Sequence, residues 1–160
     1  LFVAAGKFKD KFVISSYQYG ILLLVASLCL VIGWNDLYKR TIHNKYVLCI
    51  VLLAAAYGIL PGQRINVAAA GLSLLVGFFL FHANFIGAGD AKIFSALALF
   101  VPQHQFFSFL FLTTLCGAVI VAIGFVLYRK QMKAMGVPYG VAISLSFLYC
   151  MFFFDPGYIQ

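Results

Sequence analysis

Read from the amino terminus, the chain is a series of apolar runs broken by short polar or glycine- and proline-bearing stretches. The runs are 17–34, 45–60, 65–82, 91–101, 106–128 and 137–154. Pro61-Gly62, residues 87–90, Pro102 to Gln105 and residues 129–136 separate them. Crossing hydrocarbon takes about 20 helical residues, with a range of roughly 17–25. In lipid the backbone must satisfy its own N–H and C=O groups, which a helix does. The pattern therefore predicts an all-α integral membrane protein, a six-transmembrane-helix bundle over residues 17–160. Residues 1–16 lack the apolar centre of a signal peptide and are set apart as an interfacial or foreign segment.

The fourth run is too short. At about 1.5 Å per residue, residues 91–101 rise roughly half of the ~30 Å hydrocarbon thickness. A start below the membrane surface would leave Asp90 in a dip that water reaches, where irregular backbone is tolerated if protein or a wet cavity surrounds it.

Composition agrees with a bilayer as solvent: 64% of the 160 residues are hydrophobic, 9% are charged, and the mean hydropathy is +1.04. The net charge of +7 comes without the interleaved basic and aromatic residues of a nucleic-acid surface, so no nucleic-acid partner is expected. It reports topology instead. With six crossings, one side collects Lys39, Arg40, Lys45, Lys92, Arg129, Lys130 and Lys133; the other holds Lys7, Lys9, Lys11 and Arg64. The richer side is expected to be cytoplasmic. The four cysteines lie in apolar runs with no C-x-x-C pair and read as small hydrophobes.

Carboxylate chemistry has few sources. Glutamate is absent, and the aspartates are Asp10, Asp36, Asp90 and Asp155. The topology counted from bases alone puts Asp36 and Asp90 together on the inner side. Two close carboxylates cannot both ionise cheaply, so one keeps a proton while the other activates water. Such a pair hydrolyses a peptide bond with no metal, nucleophilic serine or cofactor. Asp90, at a helix start, is expected to be the more ionised partner, because backbone N–H groups and the helix dipole favour an anion there. Gly87 and Gly89 permit unusual backbone and a close approach of substrate.

Other readings compete. Asp36 can pair with Arg40 one helical turn on, and Asp90 can be an ordinary helix cap. A small proton-coupled transporter or channel would use the same aspartates as relay groups, but no helix interior carries a further charge to extend a pathway. A metal site would draw on His43 and His82, whose spacing matches no H-E-x-x-H pattern.

Three strings point further. "GAGDAK" is similar to the G-x-G-D motif of intramembrane aspartyl proteases. "DLYKRTIHN", from Asp36, resembles the first aspartate motif of bacterial type IV prepilin peptidases, and "VPYGVAI", from Val137, resembles that family's last-helix motif. The resemblance implies an endopeptidase of the bacterial cytoplasmic membrane. It would remove the leader from type IV pilin-like precursors at the cytoplasmic face, before the pilin's apolar helix. Carried over, Asp36 and Asp90 are the catalytic pair and Gly87 and Gly89 shape the turn. Lys92, Arg40, Asn44, Pro138 and Tyr139 take supporting positions. His43 stands where the family commonly has proline, which leaves the local turn open. The cysteine-rich segment of the larger members and the Pro-Ala-Leu motif of the presenilin-like branch are both missing. The resemblance is therefore to the short branch serving tight-adherence (Flp-type) pili, with cleavage and no methyl transfer.

Overall fold

The computed structural model describes residues 2–39, 42–127 and 137–153, with side chains over 16–39, 42–126 and 137–153. Among the described residues are six α-helices and no strand: α1 (Phe2–Lys39), α2 (Asn44–Ile59), α3 (Val67–His82), α4 (Ala88–Ala98), α5 (Phe106–Leu127) and α6 (Tyr139–Phe153). Each of the six apolar runs holds one of them. Two boundaries differ from expectation. Helix α1 begins at Phe2, so the stretch set apart at 1–16 continues into the first helix without a break. Helix α4 begins at Ala88, which takes Gly89 and Asp90 into its first turn. Arg40, Tyr128, Arg129, Lys130, Lys133 and Asp155 lie outside the described residues.

The stretches Ser16–Lys39 and Gln103–Val126 are long and apolar enough to cross a membrane. Helices α2, α3 and α6 are apolar but shorter. Large hydrophobic side chains cover the outer faces of all five of these helices, among them Leu23, Leu52, Phe79, Phe111 and Phe152. A surface of this kind is far from the scattered apolar residues of a soluble monomer.

The shortest helix lies at the centre. Helix α4 packs on α3, α2 and α6, and Ala91, Ile93, Ser95, Ala96, Leu97 and Ala98 are all buried. Its small residues let neighbours come close: a Cβ on Gly77 of α3 would lie 2.8 Å from Ala91 Cβ, and Ser95 Oγ donates to the Ala70 carbonyl at 2.7 Å. Ser73 and Gly77 on α3 are both buried in this contact. Gly71 is on the outer face, with open space where a side chain would be.

One pole of the bundle is closed by Asn66. Its side chain caps α3 by accepting from Ala69 N–H at 3.0 Å, and its amide donates to the Val101 carbonyl at 3.1 Å, just past the end of α4. The opposite pole gathers the end of α1 and the starts of α2, α4 and α6. That is where both inner aspartates lie.

Candidate functional site

On α1 the buried positions are Leu22, Val25, Ala26, Cys29, Ile32 and Asp36. Steps of three and four along a helix keep one face toward the core. Asp36 is the last position of that apolar stripe and is only 5% exposed. The side chain is aimed inward by the same periodicity that buries its neighbours. It meets α6 at Gly140, where a Cβ would stand 2.9 Å from Asp36 Oδ2 and 3.1 Å from its Cγ. Only a glycine leaves room for the carboxylate there.

Asp90 arrives from the start of α4. Gly87 is the N-cap, and Asp90, three residues on, accepts a hydrogen bond from the Gly87 backbone N–H. This is the reach-back half of a capping box, which satisfies an otherwise orphaned donor. A side chain on Gly87 would come within 2.8 Å of Asp90 Oδ2. Gly87 has φ −73° and ψ 144°, which any residue adopts. The expectation that Gly87 and Gly89 serve through unusual backbone is therefore corrected: they serve by leaving space. On Gly89 the space belongs to Ile42, whose Cβ is 3.0 Å from where a Cβ would be.

The two aspartates feel each other. Burial pushes the Asp90 carboxyl from its ordinary 3.8 up to about 6, the charge of Asp36 adds in the same direction, and the Gly87 N–H opposes both. The cap expected at Asp90 is present, and burial and the like charge act against it.

The first turn of α2 ties the aspartate-bearing helices together. Asn35, beside Asp36, donates through Nδ2 to the Tyr46 hydroxyl at 3.1 Å. Lys92, two residues after Asp90, donates through Nζ to Asn44 Oδ1 at 3.2 Å. Two of the supporting residues named from the motifs, Asn44 and Lys92, thus meet each other. Ile42 fills the gap between the starts of α4 and α6, close to both Gly89 and Gly140. Pro138 is buried just before α6. Tyr139 begins that helix with its ring against Gly117 of α5, where a Cβ would be 3.0 Å from Cε1. Arg40 lies outside the described residues, so its pairing with Asp36 has no structural outcome here.

His43 settles the turn that its departure from proline left open. At φ −74° and ψ 133° it holds the backbone that a proline would impose, and it is the N-cap of α2. Its ring lies toward Tyr46, centroids 6.1 Å apart, while His82 packs on Phe78 at 4.9 Å. Among the described residues no three of His, Cys, Asp and Glu converge on a point that could hold a metal ion.

Asn35, Ile42, Tyr46 and Gly140 were not singled out from the sequence. Gly140 had a signal, as the residue after Tyr139 inside "VPYGVAI". Ile42 had the same kind of signal, inside "DLYKRTIHN", whereas Tyr46 had none locally, since a tyrosine in an apolar helix reads as packing.

A helical bundle of this composition, with two acids sharing one buried pole, is what a peptidase working in a membrane would present, and the comparison with known families gives that class. More particularly, the chain belongs to the type IV leader peptidase family, whose model matches residues 23–122. The matched span contains Asp36, Asp90 and the helices between them, and it ends inside α5. No curated protein and no solved structure matches the chain.

Proposed function

We propose that the chain is an aspartyl endopeptidase of the bacterial cytoplasmic membrane that removes the leader from type IV pilin-like precursors. Asp36 and Asp90 form its catalytic dyad. The observation that carries this reading is their placement: two acids 54 positions apart come from different helices to one pole of the bundle, Asp36 against Gly140 and Asp90 beside Gly89, with Ile42 against both glycines.

A singly protonated pair acts on both reactants. The ionised carboxylate takes a proton from water as its oxygen bonds to the scissile carbonyl carbon. The protonated one donates to the carbonyl oxygen, and the tetrahedral intermediate then collapses with proton transfer to the departing amine. Strongly coupled acids titrate as a unit, so the resting proton belongs to the pair.

The six helices would cross or enter the bilayer, with the dyad pole toward the cytoplasm. The basic residues Lys39, Lys45 and Lys92 support this orientation, while Arg64 lies in the loop at the other pole. The short α4 puts its first turn below the surface, where substrate backbone and water can meet. Methyl transfer is not part of this reading, nor is a resident metal.

The test is cleavage of a pilin-like precursor by the purified protein in detergent, repeated with Asp36→Asn and Asp90→Asn. Both variants should lose activity by at least about 10³-fold while keeping a cooperative thermal transition. Undiminished leader removal by either folded variant would remove the dyad. Loss of wild-type activity on adding a chelator would favour metal chemistry instead.

A further inference from the structure

Between α3 and α5, floored by α4, the structure contains an open groove with a volume of about 570 Å³. Its walls are single helical stripes. One is Ala68, Leu72, Val76 and Leu80 on α3; the other is Phe107, Leu110, Thr114 and Ala118 on α5. Each spans about a dozen residues, or roughly 18 Å of helix at ~1.5 Å per residue. The groove therefore has the length of three helical turns.

Its chemistry is one-sided. The hydroxyls along it are already used within their own helices: Ser73 donates to the Ala69 carbonyl at 2.7 Å, Thr113 to Phe109 at 2.8 Å and Thr114 to Leu110 at 2.9 Å. The walls offer an occupant apolar contact and little else. Asp90 and Tyr139 stand at one end, and Gln103 marks the other.

The geometry points to a docking channel for the apolar helix of the substrate, lying lengthwise with its amino-terminal end at Asp90. This rests on the peptidase reading proposed above and adds where the substrate is held and in which direction. Continuity with the candidate dyad selects this occupant: a rod-shaped apolar helix would bring the bond that precedes it onto Asp90. A lipid chain would fill the same walls and present nothing to cleave. Selection would then come from the length and apolarity of the helix, with the groove fixing the distance from its far end to the cut.

Cysteine cross-linking tests this by register. The Asp36→Asn protein carrying Cys116→Ser provides an inactive background, with Cys29 and Cys150 buried and the exposed Cys49 on α2 as an internal control away from the groove. Leu80→Cys and Phe107→Cys, both at exposed positions, are made separately, each with a check of the thermal transition. The probe is a pilin-like precursor with one cysteine stepped along its apolar helix. Leu80→Cys should capture positions just after the cut, and Phe107→Cys positions about ten residues later. Each yield should exceed that of Cys49 at least about five-fold. Equal capture by Cys49, capture without a progression in register, or phospholipid retained in the groove at saturating precursor would overturn the proposal. Wild-type cleavage is scored in parallel. Cleavage without ordered capture discards the channel and keeps the peptidase; ordered capture without cleavage keeps the channel and discards the peptidase; neither discards both.

Discussion

Asp90→Asn should inactivate the protein and stabilise it, with the stabilisation growing as pH rises. The folded protein raises the Asp90 carboxyl from 3.8 to about 6, so it holds the proton more tightly than the unfolded chain does. That contribution favours folding below about pH 4 and is lost as pH rises through about 6. Above pH 6 the wild type keeps a charge in a place that resists it. At ~1.4 kcal/mol per tenfold change in proton affinity, the full shift is worth about 3 kcal/mol. Asp90 is partly exposed, and screening by solvent reduces this to about 1–2 kcal/mol. Asparagine keeps the shape and carries no charge. Near pH 4 the two proteins should melt together; at pH 8 the variant should melt roughly 3–6 °C higher, at about 2–4 °C per kcal/mol for a chain of this size. The assay is thermal unfolding in detergent from pH 4 to 8, with precursor cleavage measured on the same samples. A variant less stable than wild type at pH 8, or a difference that ignores pH, would show that Asp90 is a structural cap and that the coupling to Asp36 has been misread.

The same shift sets the pH–rate profile: kcat/KM should fall as pH rises past about 6, where the second proton leaves the pair, with the alkaline limb within about a unit of that value. A rate that is flat from pH 5 to 9 would contradict it. Gly140→Ala should cost about 1–3 kcal/mol in thermal stability through overpacking, because its methyl group meets the Asp36 carboxylate at 2.9 Å and Ile42 at 3.2 Å; cleavage should fall at least about tenfold, and Gly71→Ala, which meets nothing, is the silent control. Lys92→Met and Asn44→Ala should each lower kcat with little change in KM, and the double variant should lose no more than the worse single one, since both break one 3.2 Å bond. The pair is exposed, so its stability coupling in the same cycle should be under about 1 kcal/mol.

Much of this site could be read from single residues. Asp36 stands out as one of only four acids, at the inner end of the first apolar run, and Asp90 as an acid at the start of a run too short to cross a membrane. Pattern and rarity were enough, because a buried charge is costly and a helix repeats its faces every three to four residues. One role was misjudged. The glycines at 87 and 89 read locally as permitting unusual backbone, but what they do depends on what lies opposite: Asp90's own carboxylate over Gly87 and Ile42 over Gly89. The replacement of proline by His43 left the turn open, and the turn keeps dihedral angles open to proline at the start of α2.

The sequence by itself determined the six helices, the bilayer-like solvent they suit, and which acids were available for chemistry. These are local properties, set by side-chain periodicity and transfer free energy along the chain. Only the tertiary structure decided that α4 sits at the centre, that the first turn of α2 bridges the two aspartate-bearing helices, and that a groove runs up to Asp90. Those depend on which faces of which helices approach, and that is settled by small contacts such as Gly77 on Ala91, made between residues far apart in the chain.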